Sequence, residues 1–262
     1  MWPMMSRRAV LVALACLIAL PAWADRLPGR RSLSETPWGY AVVGSPTRAG
    51  AQAQRFEVRP GDCAAQGSWD DCARDRERSE FRPDLEWDPG TQMWIGFSVF
   101  LPADFAVSDR VNTTIAQIHQ RGGPIRVAGG LQSRPPILQM EARGETLSLT
   151  VHVPQDDNLH IGLARLAALR GRWTDVVIRF DTRESEPVLQ VWLDGTLRAD
   201  VAGWQTPPPA FYYFKYGLYR SFVSRHGGPM PTQIAFFDEV RMRVEPGDGA
   251  VAVAPDLALP VD

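Results

Sequence analysis

Three short segments of the chain place side chains capable of acid, base or anion-binding chemistry at every second position. Successive side chains of a β-strand point to opposite faces, so residues two and four positions apart share one face. The side chains that would share a face are Arg76, Arg78, Glu80 and Arg82 in the first segment, Gln117 and His119 in the second, and Tyr213, Lys215, Gly217 and Tyr219 in the third. If the three strands are neighbours, one surface collects cationic and hydrogen-bonding groups around a single carboxylate. Such a surface suits an acidic ligand that carries many hydroxyl groups.

Each pattern also has an ordinary structural explanation. Alternating arginine and glutamate is typical of a solvated, salt-bridged strand, Gln-x-His is short and common, and the aromatic run 211–219 would fit a core. The joint occurrence of the three patterns is therefore what favours a functional site. Lys215 is the only lysine among the 28 Lys and Arg residues, a bias towards arginine that is typical of genome composition.

Length and composition indicate a globular protein rich in turns, with either one large domain or two small ones. The chain has 262 residues, 45% of them hydrophobic, with 22 Gly and 22 Pro. No stretch after residue 24 offers the ~20 apolar residues that a membrane-spanning helix needs. The formal net charge of −2 argues against a generally basic nucleic-acid-binding protein.

Short strand-like runs separated by turn signals dominate the chain. They are predicted at 55–59, 93–101, 112–119, 137–141, 146–153, 174–181, 188–193, 197–201, 211–219 and 233–244. Asp194-Gly195 predicts a tight hairpin, and only 161–170 has the apolar spacing of a helix. His152 and His160 flank a polar loop and are expected at the surface. Many strands and one short helix predict an all-β, single-domain sandwich.

The first 24 residues have the features of a secretory signal peptide. Arg7 and Arg8 precede an apolar stretch of twelve residues, and Ala22-Trp23-Ala24 fits a cleavage site. We expect cleavage after Ala24 and a secreted or periplasmic bacterial protein without membrane attachment. The expected organisation is a signal peptide at 1–24, a loosely ordered segment at 25–48, the β-domain at 49–246 and a flexible tail at 247–262.

The mature chain would keep two cysteines, Cys63 and Cys72, because Cys16 lies in the signal peptide. An oxidising compartment favours a disulfide between them. The alternative is a metal site, but no histidine lies nearby to complete a ligand set. A disulfide would brace the Arg/Glu segment that follows it.

Taken together and in this order, the three segments resemble motifs of the jelly-roll polysaccharide lyases. Alginate lyases of family 7 carry an R-S/T-E-L-R strand, a Q-I/V-H strand and a Y-F-K-x-G-x-Y strand. The corresponding residues here are Arg78-Ser79-Glu80-Phe81-Arg82, Gln117-Ile118-His119 and Tyr213-Phe214-Lys215-Tyr216-Gly217-Leu218-Tyr219. The surrounding sequence looks closer to the heparin lyase I-like superfamily, which includes the glucuronan lyases of family 20. Over residues 50–245 the resemblance implies a β-jelly-roll of two antiparallel sheets with a concave substrate groove.

The resemblance also implies roles for the shared residues. Gln117 and Arg78 would neutralise the carboxylate of a uronate. His119 would act as the base or as an orienting group, and Tyr219 as the acid or as both acid and base. Lys215 would contact a neighbouring subsite. We expect further substrate contacts from Arg76, Glu80, Arg82, Tyr213 and Arg220.

The implied reaction, β-elimination, removes the C5 proton of a uronate and expels O4. In D-glucuronate and D-mannuronate the two atoms lie on the same side of the ring, so Tyr219 alone could serve both steps. In L-guluronate or iduronate they lie on opposite sides, and His119 as base with Tyr219 as acid is the natural division. The sequence leaves both assignments open. Tyr216 and Arg220 depart from the alginate lyase pattern, which argues against alginate as the substrate. The resemblance to the glucuronan lyases makes a glucuronan-like polymer the expected substrate, ahead of alginate or heparin.

Two other functions remain open. A glycoside hydrolase would need two carboxylates across the scissile bond, and the polar segments offer only Glu80. A non-catalytic carbohydrate-binding module is the second alternative. No nucleotide loop or zinc-ligand spacing appears, so we expect no organic cofactor and no catalytic metal; a structural Ca²⁺ would fit the fold, with Asp238 as a candidate ligand. The expected partner is an acidic polysaccharide, and we expect a monomer.

Overall fold

The computed structural model describes residues 27–127, 129–153, 157–183, 187–204 and 207–244, together with Val253. The strands in chain order are β1 (Gly29–Ser32), β2 (Tyr40–Val43), β3 (Ala53–Val58), β4 (Ala65–Gln66), β5 (Trp69–Asp70), β6 (Arg76–Pro83), β7 (Glu86–Trp87), β8 (Gln92–Phe100), β9 (Asn112–Arg121), β10 (Ile125–Val127), β11 (Gly130–Gln132), β12 (Leu138–Arg143), β13 (Thr146–Val151), β14 (Leu159–Arg165), β15 (Trp173–Asp181), β16 (Val188–Leu193), β17 (Thr196–Ala202), β18 (Phe211–Ser221) and β19 (Gln233–Val244). Leu166–Ala168 and Val223–His226 form short 3-10 helices.

Two large antiparallel sheets account for most of these strands. The first, called the groove sheet, has the order β1-β6-β18-β9-β12-β13-β14, with β7 also paired to β18. The second, called the back sheet, has the order β17-β16-β15-β8-β19-β3-β2. Most neighbouring strands are distant in the sequence, and the two sheets together form the β-jelly-roll that the resemblance implies.

The hydrophobic core lies between the sheets and takes every second residue of their strands. From β18, Phe214 and Tyr216 point into it, and they meet Phe97 and Phe237 of the back sheet. The ring centroids are 5.9 Å apart for Phe97 and Phe214 and 5.3 Å apart for Tyr216 and Phe237. Because alternate residues are buried in this core, the residues between them face away from the sandwich.

The strand predictions are confirmed, with boundaries that differ by a few residues. The strand expected at 93–101 is β8, which is buried along almost its whole length. The Asp194-Gly195 hairpin joins β16 to β17, and both residues have positive φ, 47° and 73°, as a type I′ turn requires. Within the described ranges, no helix is long and apolar enough to cross a membrane.

Two local expectations are wrong. Residues 161–170 do not form a helix, because β14 pairs along β13 and only one 3-10 turn follows it. Intrinsic helix preference is weak in so short a segment, and pairing within a sheet overrides it. The segment 25–48 is not loosely ordered throughout, because β1 pairs with β6 and β2 with β3. The β-domain therefore begins before residue 49.

The structure describes only a few residues near the two ends of the chain. The predicted signal peptide, residues 1–24, lies outside the described residues. Of the tail 247–262 only Val253 is described, and it is buried against Trp94 and Val177 of the back sheet. The expected flexibility of the tail does not hold at this residue.

Gly217 occupies a position that only glycine fits. Its φ is +127°, and a Cβ there would lie 2.4 Å from the carbonyl oxygen of Ser79. We expect Gly217→Ala to lower the free energy of unfolding by at least about 1–3 kcal/mol, the usual cost of a strained backbone conformation, as measured by urea denaturation. The control is Gly228→Ala, whose added methyl group would meet nothing within 4 Å. Equal losses in the two variants would contradict this explanation.

Candidate active site

The outward face of the groove sheet forms a long open groove lined by polar side chains. The three motif segments are neighbours in it, since β18 lies between β6 and β9. The predicted site residues that line the groove are Arg76, Arg78, Arg82, Gln117, His119, Tyr213, Lys215 and Tyr219. Strand alternation therefore places these side chains on one face, as the sequence pattern predicts.

Strand register sets these side chains opposite one another. Lys215 lies opposite Gln117, Tyr213 lies opposite His119, and Tyr219 lies opposite Arg78. Residues directly opposite in an antiparallel pair have Cβ atoms about 4.5–5.5 Å apart. The pairing of β18 with β9 is irregular between Tyr216 and Tyr219, yet the alternation along β18 continues, so Tyr219 stays on the groove face.

Glu80 is buried beneath the groove rather than exposed in it. Its side chain is 1% exposed and accepts hydrogen bonds from Gln117 Nε2 and from Arg78 Nη1, the latter at 2.9 Å. Lys215 Nζ lies 3.4 Å from the same carboxylate. The expected substrate contact of Glu80 does not hold, because these three groups occupy its oxygens. Instead, Glu80 orients the Gln117 amide. One N–H of that amide donates to Glu80, and the second N–H of Gln117 is left for a ligand.

Arg78 is held between two carboxylates and an aromatic ring. Its Nε and Nη2 donate to the two oxygens of Asp71, with 2.7 Å between Nη2 and Oδ1. Its guanidinium carbon lies 4.1 Å from the centroid of the Tyr219 ring. Burial by itself would lower the pKa of Arg78. The negative charges of Glu80 and Asp71 outweigh this effect and raise the pKa of Arg78. Arg78 is therefore a fixed cation whose attraction for the ring face holds Tyr219 in place.

The predicted disulfide between Cys63 and Cys72 is present. Asp71 immediately precedes Cys72, is fully buried, and also accepts a hydrogen bond of 2.7 Å from Trp69 Nε1. The disulfide loop thus anchors Asp71, and through Asp71 it positions Arg78. The sequence did not single out Asp71 as part of the site.

His119 has only one ring nitrogen available to a ligand. Its Nδ1 lies 2.8 Å from the backbone nitrogen and 3.0 Å from the backbone oxygen of Gln120, so Nε2 alone remains. Burial, reinforced by the positive charge of Lys215, lowers the pKa of His119 to about 3. The imidazole is therefore neutral near pH 7 and only weakly basic.

Burial also changes the titration of Lys215 and Tyr213. It lowers the pKa of Lys215 to about 8, with Glu80 opposing the change and Arg78 adding to it. It raises the pKa of Tyr213, so this phenol stays protonated near neutrality. The Tyr213 ring stacks on His119 with 5.1 Å between centroids, and the Arg82 guanidinium carbon lies 4.0 Å from the Tyr213 centroid.

Arginines on the two sheets differ in their partners. Several on and around the back sheet are paired with carboxylates: Arg48 with Asp175, Arg55 with Glu57, Arg179 with Asp181 and Arg241 with Glu239. Several that line the groove have no carboxylate partner among the described residues: Arg76, Arg110, Arg121, Arg143 and Arg225. The groove therefore carries uncompensated positive charge, which favours a polyanionic ligand.

Arg220 does not reach the groove, so its predicted substrate contact is wrong. It follows Tyr219 along β18 and points to the opposite face, where it is fully buried. There its guanidinium pairs with Glu77 and donates to the carbonyl oxygen of Pro231. The alternation that places Tyr219 in the groove also excludes Arg220 from it.

Sequence reasoning missed the far half of the groove, on β12 to β14 and the residue after β13. The side chains there include Gln139, Glu141, Thr150, His152 and His160. His160 is exposed and His152 is half-buried, and both line the groove, which the prediction of a surface position did not include. The spacing of Gln139 and Glu141, two residues apart, was a signal, but alternation alone does not say which face of a strand borders a groove.

Asp238 has a structural role. Its carboxylate accepts hydrogen bonds from the backbone nitrogens of Arg48, Ala49 and Glu239 at 2.8–3.1 Å. In the part of the chain that the structure describes, no cluster of three or more His, Cys, Asp or Glu side chains could hold a metal ion. The Asp238 carboxylate therefore ties the segment at residues 48–49 to the back sheet.

A two-sheet jelly-roll with a polar groove across one sheet defines a β-sandwich protein with an open binding face. The family model for polysaccharide lyases matches residues 24–241, and the chain belongs to this family. The protein is thus a polysaccharide lyase and its substrate is a polysaccharide. No curated protein matches the sequence.

Solved structures of two lyases and of a β-glucanase share the fold. An endo-β-1,4-glucuronan lyase from the fungus Trichoderma reesei has a TM-score of 0.62 and 18% identity, with 89% of this chain and 96% of that chain covered. A family 7 alginate lyase from Zobellia galactanivorans has a TM-score of 0.54 and 11% identity, with 85% and 96% covered. A family 131 β-glucanase catalytic domain from Podospora anserina has a TM-score of 0.52 and 11% identity, with 87% and 88% covered. At these identities the similarity establishes the fold alone.

Proposed function

We propose that this lyase cleaves a uronate-containing polysaccharide by β-elimination, and that a glucuronan-like polymer is preferred over alginate or heparin. The observation that carries the proposal is that Gln117, His119 and Tyr219 line one groove with uncompensated positive charge. Tyr216 and Arg220, whose departure from the alginate lyase pattern argued against alginate, are both buried and do not line the groove. The preference for glucuronan therefore rests on the similarity to the fungal glucuronan lyase.

The first requirement of the reaction is to neutralise the substrate carboxylate. Removing the C5 proton places further negative charge beside that carboxylate, so donors aimed at it stabilise the transition state. Gln117 supplies one such donor. Glu80 accepts one N–H of the Gln117 amide and holds it in place, and the second N–H is left for the substrate. The unpaired groove arginines add positive charge. Arg78, already balanced by Asp71 and Glu80, acts mainly by holding Tyr219.

The second requirement is a base for the C5 proton and an acid for O4. We assign both steps to Tyr219. In a D-glucuronate the C5 proton and O4 lie on the same side of the ring, so one residue can serve both. Tyr219 reacts as the phenolate: its oxygen takes the C5 proton and then donates that same proton to O4, while the C4–O4 bond breaks and a C4=C5 double bond forms. With a pKa of about 3, His119 is too weak a base to compete and binds the substrate through Nε2.

The carboxylates of the groove argue against hydrolysis. A glycosidase of the usual type needs two of them, one on each side of the scissile bond. Among the described residues that line the groove, the only acidic side chain is Glu141. Glu141 accepts hydrogen bonds from Thr114 and Thr150, and Glu80 is buried beneath Gln117.

The experiment incubates the purified protein with glucuronan, alginate, heparin and hyaluronan, and follows the ultraviolet absorbance of the unsaturated product. We expect absorbance to rise fastest with glucuronan. A faster reaction on another polymer would refute the substrate preference but would still support β-elimination. New reducing ends without absorbance would indicate hydrolysis, and binding without cleavage would indicate a carbohydrate-binding module.

The lowered pKa of Lys215 predicts an alkaline limit to activity. As the pH rises through about 8, the ammonium loses its proton and the groove loses a positive charge, so kcat/KM on an acidic polymer should fall. In Lys215→Arg the guanidinium stays charged, and the fall should move to higher pH. Profiles of kcat/KM against pH test this, and an alkaline limb that is identical in the variant would exclude Lys215 as its cause.

We also propose that residues 1–24 direct export and that the mature enzyme acts outside the cytoplasm. The Cys63–Cys72 disulfide supports this location, because disulfides persist mainly in oxidising compartments. Sequencing the N-terminus of the protein recovered from the medium or periplasm tests it, with Asp25 expected as the first residue.

A further inference from the structure

The far half of the groove contains a row of uncharged polar side chains. Gln139 lies opposite Gln117, Thr150 opposite Gln139, and His160 opposite Thr150. Neighbouring strands are about 4.8 Å apart, so His160 lies about 14 Å from Gln117 across three strand spacings. This distance places His160, at the far end of the row, beyond the sugar unit that reacts.

Hydrogen bonds in this row determine the proton positions on His160. Glu141, as a carboxylate, only accepts, so Thr150 must donate its hydroxyl proton to it over 2.6 Å. The Thr150 oxygen then has only lone pairs for His160 Nδ1, which lies 3.1 Å away, so Nδ1 carries the proton. In neutral His160 the other ring nitrogen, Nε2, is therefore an acceptor.

A second chain of hydrogen bonds determines the proton positions on His152. The amide nitrogen of Gln139 donates to Thr114 over 2.9 Å, which leaves its oxygen to accept from His152 Nε2 at 2.7 Å. The free Nδ1 of His152 is then an acceptor. Burial, with His160 adding to it, lowers the pKa of His152 to about 4, so this ring stays neutral.

We propose that this face, formed by Gln139, Thr150, His152 and His160, is a separate subsite that binds the hydroxyl groups of a remote sugar unit. Two imidazole nitrogens that accept hydrogen bonds suit hydroxyl donors, whereas an ionised carboxylate has no proton to donate. Among the described groove residues of β12 to β14, the acidic and basic side chains besides the two histidines are Glu141, which would repel a carboxylate, and Arg143 at the end of β12, which is exposed. The half of the groove on β6, β18 and β9 holds the proposed carboxylate site around Gln117, so the two halves would recognise different groups of one chain.

The inference rests on the proposed function and is tested by substrate length. His160→Ala and His152→Ala should each raise KM for long substrates about three- to tenfold, the effect of losing one hydrogen bond, with kcat unchanged. KM for the shortest oligosaccharide that the wild type cleaves should not change. His226→Ala is the matched control, because His226 bonds to Ser108 and should leave KM unaltered at every length.

Ionic strength distinguishes a hydroxyl site from a carboxylate site. The fold-change in KM should be equal at low and high salt, because screening acts on charges; a fold-change that shrinks with salt would overturn the assignment to hydroxyl groups. Equal effects on short and long substrates, or none on either, would overturn the subsite. If the wild type cleaves no uronan, the proposed function fails, and calorimetry with a carboxyl-reduced oligosaccharide then decides the subsite alone: weaker binding by His160→Ala supports it and unchanged binding overturns it.

Discussion

Tyr219→Phe should lower kcat/KM on the substrate polysaccharide by about 10²–10⁴-fold, the usual contribution of general acid–base catalysis. The substitution removes only the hydroxyl group that we assign to both proton transfers. The ring itself stays, so its contact with the Arg78 guanidinium, at 4.1 Å, is preserved. Initial rates from the absorbance of the unsaturated product measure the effect, and calorimetry on the same variant should show that the polymer still binds.

Tyr213→Phe is the matched control for this prediction. Tyr213 also lines the groove, and its ring stacks on His119, but no proton transfer is assigned to it. We expect it to lose less than tenfold in kcat/KM. Comparable losses in the two variants, or a Tyr219→Phe enzyme that keeps more than a tenth of wild-type activity, would remove Tyr219 from its assigned role.

Asp71→Ala should destabilise the protein strongly, by about 3–5 kcal/mol in the free energy of unfolding. Asp71 is fully buried and contacts Arg78 through both of its oxygens. Its removal leaves two buried cations, Arg78 and Lys215, to share the single carboxylate of Glu80, and uncompensated buried charge carries a cost of this size. Urea denaturation measures the loss. The activity of the folded fraction should also fall, because Arg78 would no longer hold Tyr219.

The control for Asp71→Ala is a surface ion pair of the same chemistry. Asp84 pairs with Arg30 at 3.1 Å, and both side chains are more than half exposed. Exposed pairs contribute about 0–1 kcal/mol, so Asp84→Ala should have little effect on unfolding. If the two substitutions destabilise equally, burial of the Arg78 pair is not the source of its importance.

The half of the site on β6, β9 and β18 was predictable because it depends on the spacing of residues within single strands. Period-two spacing placed Gln117 and His119 on one face of a strand and Tyr213, Lys215 and Tyr219 on one face of another, and all five line the groove. The same rule should have excluded Arg220, which is adjacent to Tyr219 and must face the other way. Arg220 follows the last residue of the motif, and proximity to a motif does not tell which face of the strand a residue takes.

The far half was not predictable, because alternation does not identify which sheet face borders a ligand. Gln139 and His152 are polar in the sequence, but their position depends on β12 and β13 extending the sheet beyond β9. The strand β14 was itself mistaken for a helix. Its residues pair with β13, and that pairing outweighs a local preference that amounts to tenths of a kcal/mol per residue.

The amino-acid sequence alone determined the all-β architecture, the disulfide partners and which residues of a strand share a face. These features depend on residues a few positions apart in the chain. The tertiary structure alone decided what each polar group does there. Glu80 meets Gln117 across 37 positions and Lys215 across 135, and these contacts turn an expected substrate ligand into a buried anchor. Such contacts arise when distant strands share a sheet, and the order of strands in a sheet is set by packing over the whole core rather than by any local pattern.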